Sequence, residues 1–397
     1  MGQEFDFDTL ADRENIGCMK LLETPNIVKK AGLISFAGAE ADFKTAPVII
    51  DGIIRRAQNG FLGYTVPDEA YRSTICSWMR KERHWQIEPE WIVPAGGTIR
   101  SVATAIRMTI QPGEGMIVQP PVYHRYKQAA DRTGRKTVYN PLKLVDGRYE
   151  MDFGHLERCM ANPNNRLMIL CNPHNPIGQI WRPEDLAKVA RLARQYQVTV
   201  FSDEIFAETV YNGHWTQPYS EAPDAWEHAI VSTSLGKAFS LTGVNFANLI
   251  IPNRGLREAF IAQRNADHYG SIEPLAHAAM MAAYTDEGAR WVRAMNDYVL
   301  DNIRLVRGFF NQHLPQVSAF ESEGAFILWI DWQGLGLPQD ELHVFLEEQA
   351  LFLTDRGEEY GPGGEGFTRM NMASPRAEVK KVLDRLLCAA KQRGFAR

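Results

Sequence analysis

The sequence predicts an α/β fold in which a mostly parallel sheet lies between helices, followed by a smaller α+β domain. In the middle of the chain, short apolar runs alternate with amphipathic helical patterns, which is typical of βαβ units. These runs are rich in Ile, Val, Leu and Met and do not alternate strictly with polar residues, as expected of strands covered on both faces. A length of 397 residues also suggests two or three domains.

The predicted strands of the large domain are residues 115–119, 167–171, 198–202, 229–232 and 248–251. An earlier run at 91–94 is followed by two glycines and a helical pattern over 99–108. The best-marked helix begins at Pro183, which suits a first helical turn. Glu184 and Asp185 then favour the positive end of the helix dipole.

The last hundred or so residues have a different pattern, with strands predicted at 325–330 and 368–372 and helices at 340–349 and 376–392. The helical tract 274–284 runs into Asp-Glu-Gly at Asp286, where we place a boundary. The expected division is an N-terminal segment, 1–45, that packs with the small domain, a large domain, 46–286, and a small C-terminal domain, 287–397.

Composition excludes several classes of protein. The net charge is −5 and no basic stripe is present, which argues against nucleic acid as a partner. No apolar run approaches the ~18–20 residues that span a bilayer, and the acidic N-terminus does not resemble a secretory signal. The odd number of cysteines, without any C-x-x-C pair, predicts reduced thiols in a cytoplasmic protein, with neither a disulfide framework nor a zinc site.

Polar and glycine-rich segments follow the predicted strands, at the ends where open α/β sheets bind ligands. The side chains and backbone groups expected to meet there are Gly97, Thr98, Asn175, Asp203, Ser234 and Lys237. One crevice would then combine a glycine-rich helix start, an amide, a carboxylate, a hydroxyl and an amine. Cys171, close to His174, is a conceivable nucleophile, but a small apolar residue at the end of a buried strand is the favoured interpretation.

Each of these groups matches one part of pyridoxal 5′-phosphate (PLP). The helix start at Gly97 and Thr98 offers free N–H groups and a positive dipole end to the phosphate, to which the Ser234 hydroxyl can also bind. Asp203 can pair with the pyridine nitrogen and keep the ring an electron sink.

The remaining groups match the reactive side of the same cofactor. Asn175 can donate a hydrogen bond to the 3′ oxygen of the ring, and Tyr123 can stack on the ring face. Lys237 can hold PLP as a Schiff base and then shuttle the Cα proton of a substrate. His124 and Arg125, which follow Tyr123, are expected on a solvated loop.

Five motifs in this order resemble those of the fold-type I PLP enzymes. They are Gly96-Gly97-Thr98, Asn172-Pro-His-Asn175-Pro-Ile-Gly178, Ser202-Asp-Glu-Ile205, Ser234-Leu-Gly-Lys237-Ala-Phe239 and Arg369-Met-Asn-Met-Ala373. Over about residues 30–390 the chain is similar to the C–S β-lyase (cystathionine β-lyase-like) branch of the class I/II aminotransferase superfamily. The resemblance implies a large domain with a mostly parallel, seven-stranded type of sheet and a small α+β domain.

The resemblance also implies further roles. Tyr64, in Phe61-Leu-Gly-Tyr64-Thr65, would reach the cofactor phosphate of a partner subunit and act in catalysis there, which implies a homodimer with shared active sites. Arg369 would bind the substrate α-carboxylate through a two-pronged salt bridge that lysine cannot copy, with Tyr123 and Asn175 beside it.

Two positions depart from the family pattern. The lyase branch usually has His, and the aminotransferases Tyr, three residues after the ring-nitrogen aspartate, whereas this chain has Phe206. Many aminotransferases carry a phosphate-binding Arg eight residues after the lysine, whereas this chain has Asn245. Asn245 agrees better with the lyase branch, and Phe206 leaves room for a specialised reaction.

The function that these observations favour is cleavage of a β-thio-substituted, cystathionine-like amino acid to a thiol, pyruvate and ammonia. An aminotransferase using the same residues is the main alternative, and replacement or cyclisation on an unusual amino acid is a third. A fourth alternative is a protein of this fold that acts as a regulator by contact with other proteins. The absence of an added DNA-binding segment in the sequence argues against it. The run 361–366 fits G-x-G-x-x-G, but it lacks a preceding strand and contains Pro362, so we interpret it as a loop leading to Arg369.

Overall fold

The computed structural model describes residues 5–14, 16–22 and 32–396. The strands are β1 (Ile34–Ser35), β2 (Ile92–Ala95), β3 (Gly115–Val118), β4 (Lys136–Tyr139), β5 (Lys143–Val145), β6 (Arg148–Glu150), β7 (Asn165–Cys171), β8 (Thr199–Asp203), β9 (Ala229–Thr233), β10 (Ala247–Ile250), β11 (Ser318–Ala319), β12 (Ile327–Asp331), β13 (Phe352–Leu353), β14 (Asp355–Arg356) and β15 (Phe367–Asn371). The helices are α1 (Met19–Leu22), α2 (Pro47–Asn59), α3 (Glu69–Glu82), α4 (Thr98–Thr109), α5 (Arg125–Arg132), α6 (Phe153–Ala161), α7 (Pro183–Tyr196), α8 (Leu235–Ala238), α9 (Arg254–Ala266), α10 (Pro274–Ala283), α11 (Asp286–His313), α12 (Gln339–His343) and α13 (Arg376–Gln392).

The large sheet has seven strands in the order β2-β10-β9-β8-β7-β3-β4. Its pairs are parallel except that β10 runs antiparallel to both of its neighbours. In the register, Cys171 pairs with Asp203, and Asp203 pairs with Ser232. The carboxyl ends of β7, β8 and β9 are therefore level, and the segments that follow them begin at one edge of the sheet.

The predicted strands of the large domain are confirmed, with shifts of one or two residues at their ends, but two features were not anticipated. β4 forms the edge of the sheet, and its residues are exposed or half-buried, so it has no apolar run to reveal it. The antiparallel direction of β10 follows from its connection, since residues 234–246 contain only the four-residue helix α8. A parallel return normally needs a longer crossover helix.

Helices cover both faces of this sheet and begin where the sequence predicts. Helix α7 starts at Pro183 and buries Leu186, Val189, Ala190 and Ala193. Helix α4 follows β2 through Gly97, whose φ of +102° lies in the region that favours glycine. β8, the central strand of the sheet, is almost wholly buried, and burying Val200 and Phe201 stabilises the fold by about 1.5–3 kcal/mol per side chain.

The second sheet has four strands in the antiparallel order β11-β12-β15-β14. β12 and β15 confirm the two predicted strands, and α13 covers 376–392 as predicted. The helix predicted over 340–349 is α12 continued by a π-helical stretch, Val344–Gln349. Across β14 and β15, Asp355 is the register partner of Arg369, so these two side chains are neighbours on one face.

The N-terminal residues that the structure describes contact the C-terminal part of the chain. β1 pairs in parallel with β13, and the ring of Phe36 lies 5.8 Å from that of Phe352. The backbone N–H of Asp42 donates to the carbonyl of Ala373 at 2.8 Å. Residues 1–4, 15, 23–31 and 397 lie outside the described part. The division into 1–45, 46–286 and 287–397 remains our proposal, which these contacts and the start of α11 at Asp286 support.

Among the residues that the structure describes, no helix has the length and apolarity needed to cross a membrane.

Candidate active site

A cavity of about 580 Å³ opens at the carboxyl ends of β7, β8 and β9. The N-terminus of α4 and residues of β14 and β15 complete its wall, together with the segment around Ala39. Its lining includes Gly97, Thr98, Tyr123, Asn175, Asp203, Ser234, Lys237 and Arg369. The structure therefore brings together every site residue predicted from the sequence except Tyr64.

Lys237, on the short helix α8, is one of the residues that line this cavity. Its Nζ donates to the carbonyl of Ala39 at 2.5 Å and lies 5.7 Å from the centre of the Phe206 ring. Burial lowers the pKa of Lys237 to about 8, and Arg369 adds to the effect, while Asp203 and other carboxylates oppose it. An amine that loses its proton near pH 8 is available as a nucleophile and as a base.

Asp203 ends β8 and is buried at the floor of the cavity. The Tyr126 hydroxyl donates to its Oδ2 at 2.6 Å, and the Ile205 N–H donates to its Oδ1 at 3.3 Å. Burial nevertheless raises the pKa of Asp203 to about 6. A buried carboxylate with few donors is stabilised by a nearby cation, so the position suits a protonated ring nitrogen.

Tyr126 was not anticipated from the sequence. It is buried on α5, its ring meets that of Tyr123 edge to face at 5.6 Å, and its hydroxyl holds Asp203. The signal was available in its spacing, because a residue three positions after Tyr123 at a helix start lies on the same side. His124 and Arg125 also line the cavity: Arg125 is exposed as expected, but it begins α5 and is not in a loop, and His124 is half-buried.

Arg369 is buried on β15 and is held by two side chains. Its Nε and Nη2 donate to Oδ2 of Asp355 at 2.9 and 2.6 Å, and its Nη1 donates to Oδ1 of Asn175 at 2.8 Å. Burial opposes the charge, but Asp355 outweighs it and raises the pKa of Arg369. A guanidinium has five N–H groups, so one N–H on each terminal nitrogen remains for a carboxylate.

Asp355 is the second functional residue that sequence reasoning missed. Besides holding Arg369, its carboxylate accepts from the Gly38 N–H at 3.0 Å and so ties the N-terminal segment to the site. Nothing local marks it, because its role depends on strand pairing with β15. Asn175 uses its Oδ1 for Arg369, which leaves its Nδ2 free to donate, as its predicted role requires.

The other end of the cavity is suited to an anion. The N–H groups in the first turn of α4 lack helical acceptors, and the positive end of the helix dipole is there. A Cβ placed on Gly97 would have only Asn245 Oδ1, at 3.9 Å, within 4 Å, so the backbone is open to approach. Thr98 Oγ1 lies 3.1 Å from Ser232 Oγ.

Ser234 lies in the cavity lining, but its hydroxyl already has two partners. It donates to the carbonyl of Phe246 at 2.8 Å and accepts from the Gly236 N–H at 3.2 Å, which makes it the N-cap of α8. Its contact with a phosphate therefore stays a prediction, and it positions the turn that carries Lys237.

Tyr64 is not part of this cavity. Its side chain is 99% exposed, on a loop that also exposes Phe61, Leu62 and Val66. The run 361–366 is a loop between the short helix Gly357–Tyr360 and β15, as predicted, and it leads to Arg369.

Comparison with known proteins identifies the group to which this architecture belongs. The sequence model of a family described as "Aminotransferase class I and II" matches residues 32–386. The chain belongs to the class I and II aminotransferase family. The resemblance derived from the five motifs is thereby confirmed.

Several known proteins are similar to this chain over almost their whole length. Cystathionine beta-lyase PatB of Bacillus subtilis is 31% identical over 385 residues, which cover 97% of this chain and 99% of PatB. Cystalysin from Treponema denticola, whose solved structure contains PLP, superimposes with a TM-score of 0.93 at 30% identity over 98% of this chain and 99% of cystalysin. A PLP-bound C–S lyase from Staphylococcus hominis gives a TM-score of 0.90 at 28% identity over 98% of this chain and 99% of the lyase. These likenesses confirm the predicted fold-type I architecture.

Proposed function

We propose that this member of the family is a PLP-dependent C–S β-lyase that converts a β-thio-substituted L-amino acid into a thiol, pyruvate and ammonia. The observation that carries the proposal is the position of the Lys237 amine, whose pKa is lowered to about 8, in a cavity that also contains Asp203 and Arg369. The similarity to PatB, cystalysin and the Staphylococcus hominis lyase favours this reaction over others in the family.

The residues of the cavity fit the cofactor group by group. Asp203 would hold the ring nitrogen, the free Nδ2 of Asn175 would donate to the 3′ oxygen, and Tyr123 would cover one face. Gly97 and Thr98 would receive the phosphate at the start of α4. When bound, the cofactor supplies an electron sink for the charge that develops at the substrate Cα.

Arg369 and Lys237 would then act on the substrate from two sides. The two remaining N–H groups of Arg369 would bind both oxygens of the α-carboxylate, and Asp355 fixes the plane of the guanidinium. With the carboxylate fixed, the neutral Nζ of Lys237 is the base that takes the Cα proton, and its ammonium form returns a proton later. The sum is RS–CH₂–CH(NH₃⁺)–COO⁻ + H₂O → RSH + CH₃–CO–COO⁻ + NH₄⁺.

Phe206 gives the site an apolar wall where related enzymes have a hydrogen-bonding side chain. Its ring packs edge-on against Phe326 at 5.2 Å and faces Lys237. Because Phe206 offers no hydrogen bond, Asn175 would carry the interaction with the 3′ oxygen. The apolar wall also excludes water from the amine and contributes to its lowered pKa.

The proposal includes a homodimer with shared sites in the cytoplasm. Apolar side chains are exposed on α2 and the loop after it, namely Ile50, Ile54, Phe61, Leu62, Tyr64 and Val66. Several exposed apolar side chains within one short stretch of chain are typical of a protein interface. Within the dimer, Tyr64 would reach the phosphate bound by the partner. All five cysteines fall in described parts of the chain and are free thiols, which supports a reducing compartment.

The experiment that tests the reaction compares two products from one preparation. The PLP-loaded enzyme is given L-cystathionine, and pyruvate and free thiol are measured with and without 2-oxoglutarate. The proposal predicts equal amounts of pyruvate and thiol, independent of 2-oxoglutarate, and none from the Lys237→Ala variant. A keto acid that forms only with 2-oxoglutarate would instead identify an aminotransferase.

A further inference from the structure

We propose that Arg100, on the first turn of α4, is the cationic side chain that binds the cofactor phosphate in this enzyme. The inference rests on the proposed function only in requiring PLP as the cofactor. A phosphate that carries up to two negative charges is bound by N–H groups of a helix start and, in addition, by a positively charged side chain where one is in reach. The position eight residues after Lys237 provides none, because it is Asn245.

Arg100 lies beside the glycine pair that starts α4. It belongs to the lining of the cavity together with Gly96, Gly97 and Thr98. Its Nη1 is 3.0 Å from the point that a Cβ on Gly96 would occupy. The side chain therefore turns back over Gly96, beside the start of α4 whose N–H groups would receive the phosphate.

The guanidinium is held in this position by an aromatic ring and not by a carboxylate. Its central carbon lies 5.3 Å from the ring centre of Tyr269. The hydroxyl of Tyr269 is in turn hydrogen-bonded to Thr104, which lies four residues further along the same helix. Within the described ranges, no salt bridge pairs Arg100 with a carboxylate, and the first turn of α4 contains no acidic residue. The positive charge is therefore not neutralised.

The other cations that line the cavity are committed elsewhere. Arg369, on β15, is held by Asp355 of β14 and by Asn175 in the segment after β7. Arg125 is the exposed first residue of α5, where its side chain lies near the Tyr123 hydroxyl. Lys237 is the attachment point itself. Arg100 is thus the cation placed at the anion-binding end, and it takes the part that an arginine at position 245 would otherwise have.

The test measures cofactor affinity and not turnover. Apoenzyme is titrated with PLP and, separately, with pyridoxal, which lacks the phosphate, and binding is followed by quenching of tryptophan fluorescence. Because charge-assisted hydrogen bonds are stronger than neutral ones, Arg100→Gln should raise the Kd for PLP at least about tenfold and leave the Kd for pyridoxal within about twofold. The Kd of Arg100→Lys for PLP should lie between those of wild type and Arg100→Gln, because lysine keeps the positive charge but lacks the two-pronged guanidinium.

Arg254→Gln is the matched control, because it removes the same charge from an exposed arginine on α9 that pairs with Glu258. Added KCl should reduce the difference in Kd for PLP between wild type and Arg100→Gln, because Arg100 is exposed and salt screens an exposed charge. Unchanged PLP affinity in Arg100→Gln would overturn the inference, and so would an equal loss of affinity for both ligands. Wild-type apoenzyme that bound neither ligand would refute the proposed function itself.

Discussion

Replacing Arg369 with lysine retains the positive charge and removes the fork, so it tests the carboxylate-binding role directly. Arg369 uses three N–H groups on Asp355 and Asn175 and has two left for the substrate. A lysine ammonium has three N–H groups in all and cannot satisfy Asp355, Asn175 and a carboxylate together. With about 1.5–3 kcal/mol for each hydrogen bond to a charged group, two lost bonds amount to roughly 3–6 kcal/mol. We therefore expect kcat/KM to fall by about 10²–10⁴.

The assay separates carboxylate binding from general damage. The Kd values of the PLP-loaded enzyme for L-alanine and for ethylamine, which is alanine without its carboxylate, are measured from the absorbance of the bound cofactor. Arg369→Lys should weaken alanine binding strongly and leave ethylamine almost unchanged. The control is Arg356→Lys, which alters the adjacent arginine on β14, paired with Glu347.

Two outcomes would refute this reasoning. One is a kcat/KM for Arg369→Lys within about threefold of wild type, which corresponds to less than one kcal/mol. The other is an equal loss of affinity for alanine and ethylamine in a variant whose circular dichroism and Tm match those of wild type.

Three further predictions concern the other groups of the site. Asp203→Asn should stabilise the apoenzyme by about 3 kcal/mol at pH 7 in urea titrations, because burial raises the pKa of Asp203 from 3.8 to about 6. In wild type the free energy of unfolding should fall as the pH rises from about 4 to 6, because the buried carboxyl then loses its proton. An equal fall of the unfolding free energy with pH in Asp203→Asn would exclude Asp203 as the cause. The rate at which apoenzyme binds PLP covalently should rise with pH and level off above about 8, because the neutral amine of Lys237 is the nucleophile. A rate that does not change from pH 6 to 9 would contradict the lowered pKa of Lys237. Mixing the inactive variants Tyr64→Ala and Lys237→Ala should restore up to about a quarter of wild-type activity, because about half of the dimers are then mixed and each mixed dimer has one intact site. If no activity returns after verified subunit exchange, Tyr64 does not act across the interface.

Much of the site was predictable because it depends on strand ends. A polar residue directly after a buried parallel strand must lie at the carboxyl edge of the sheet, so Asn175, Asp203 and Lys237 were placed together without knowledge of the strand order. Glycines followed by a helical pattern located the start of α4 in the same way. These features are local, and a single segment of sequence specifies each of them.

The residues that escaped prediction act through tertiary contacts. Asp355 meets Arg369 only because β14 pairs with β15, and no local pattern announces that pairing. Tyr126 holds Asp203 from another layer of the fold. The direction of β10 follows from how the short connection after Lys237 folds, and the pattern of apolar residues is the same for either direction.

The most direct test of the account is to locate the covalent bond between protein and cofactor. The PLP-loaded enzyme is reduced with borohydride, digested and analysed by peptide mass spectrometry. The account predicts that the yellow colour disappears on reduction and that the pyridoxyl group is found on Lys237, with no adduct in Lys237→Ala. A pyridoxyl group on any other lysine, or an enzyme that takes up PLP and remains active without Lys237, would contradict it.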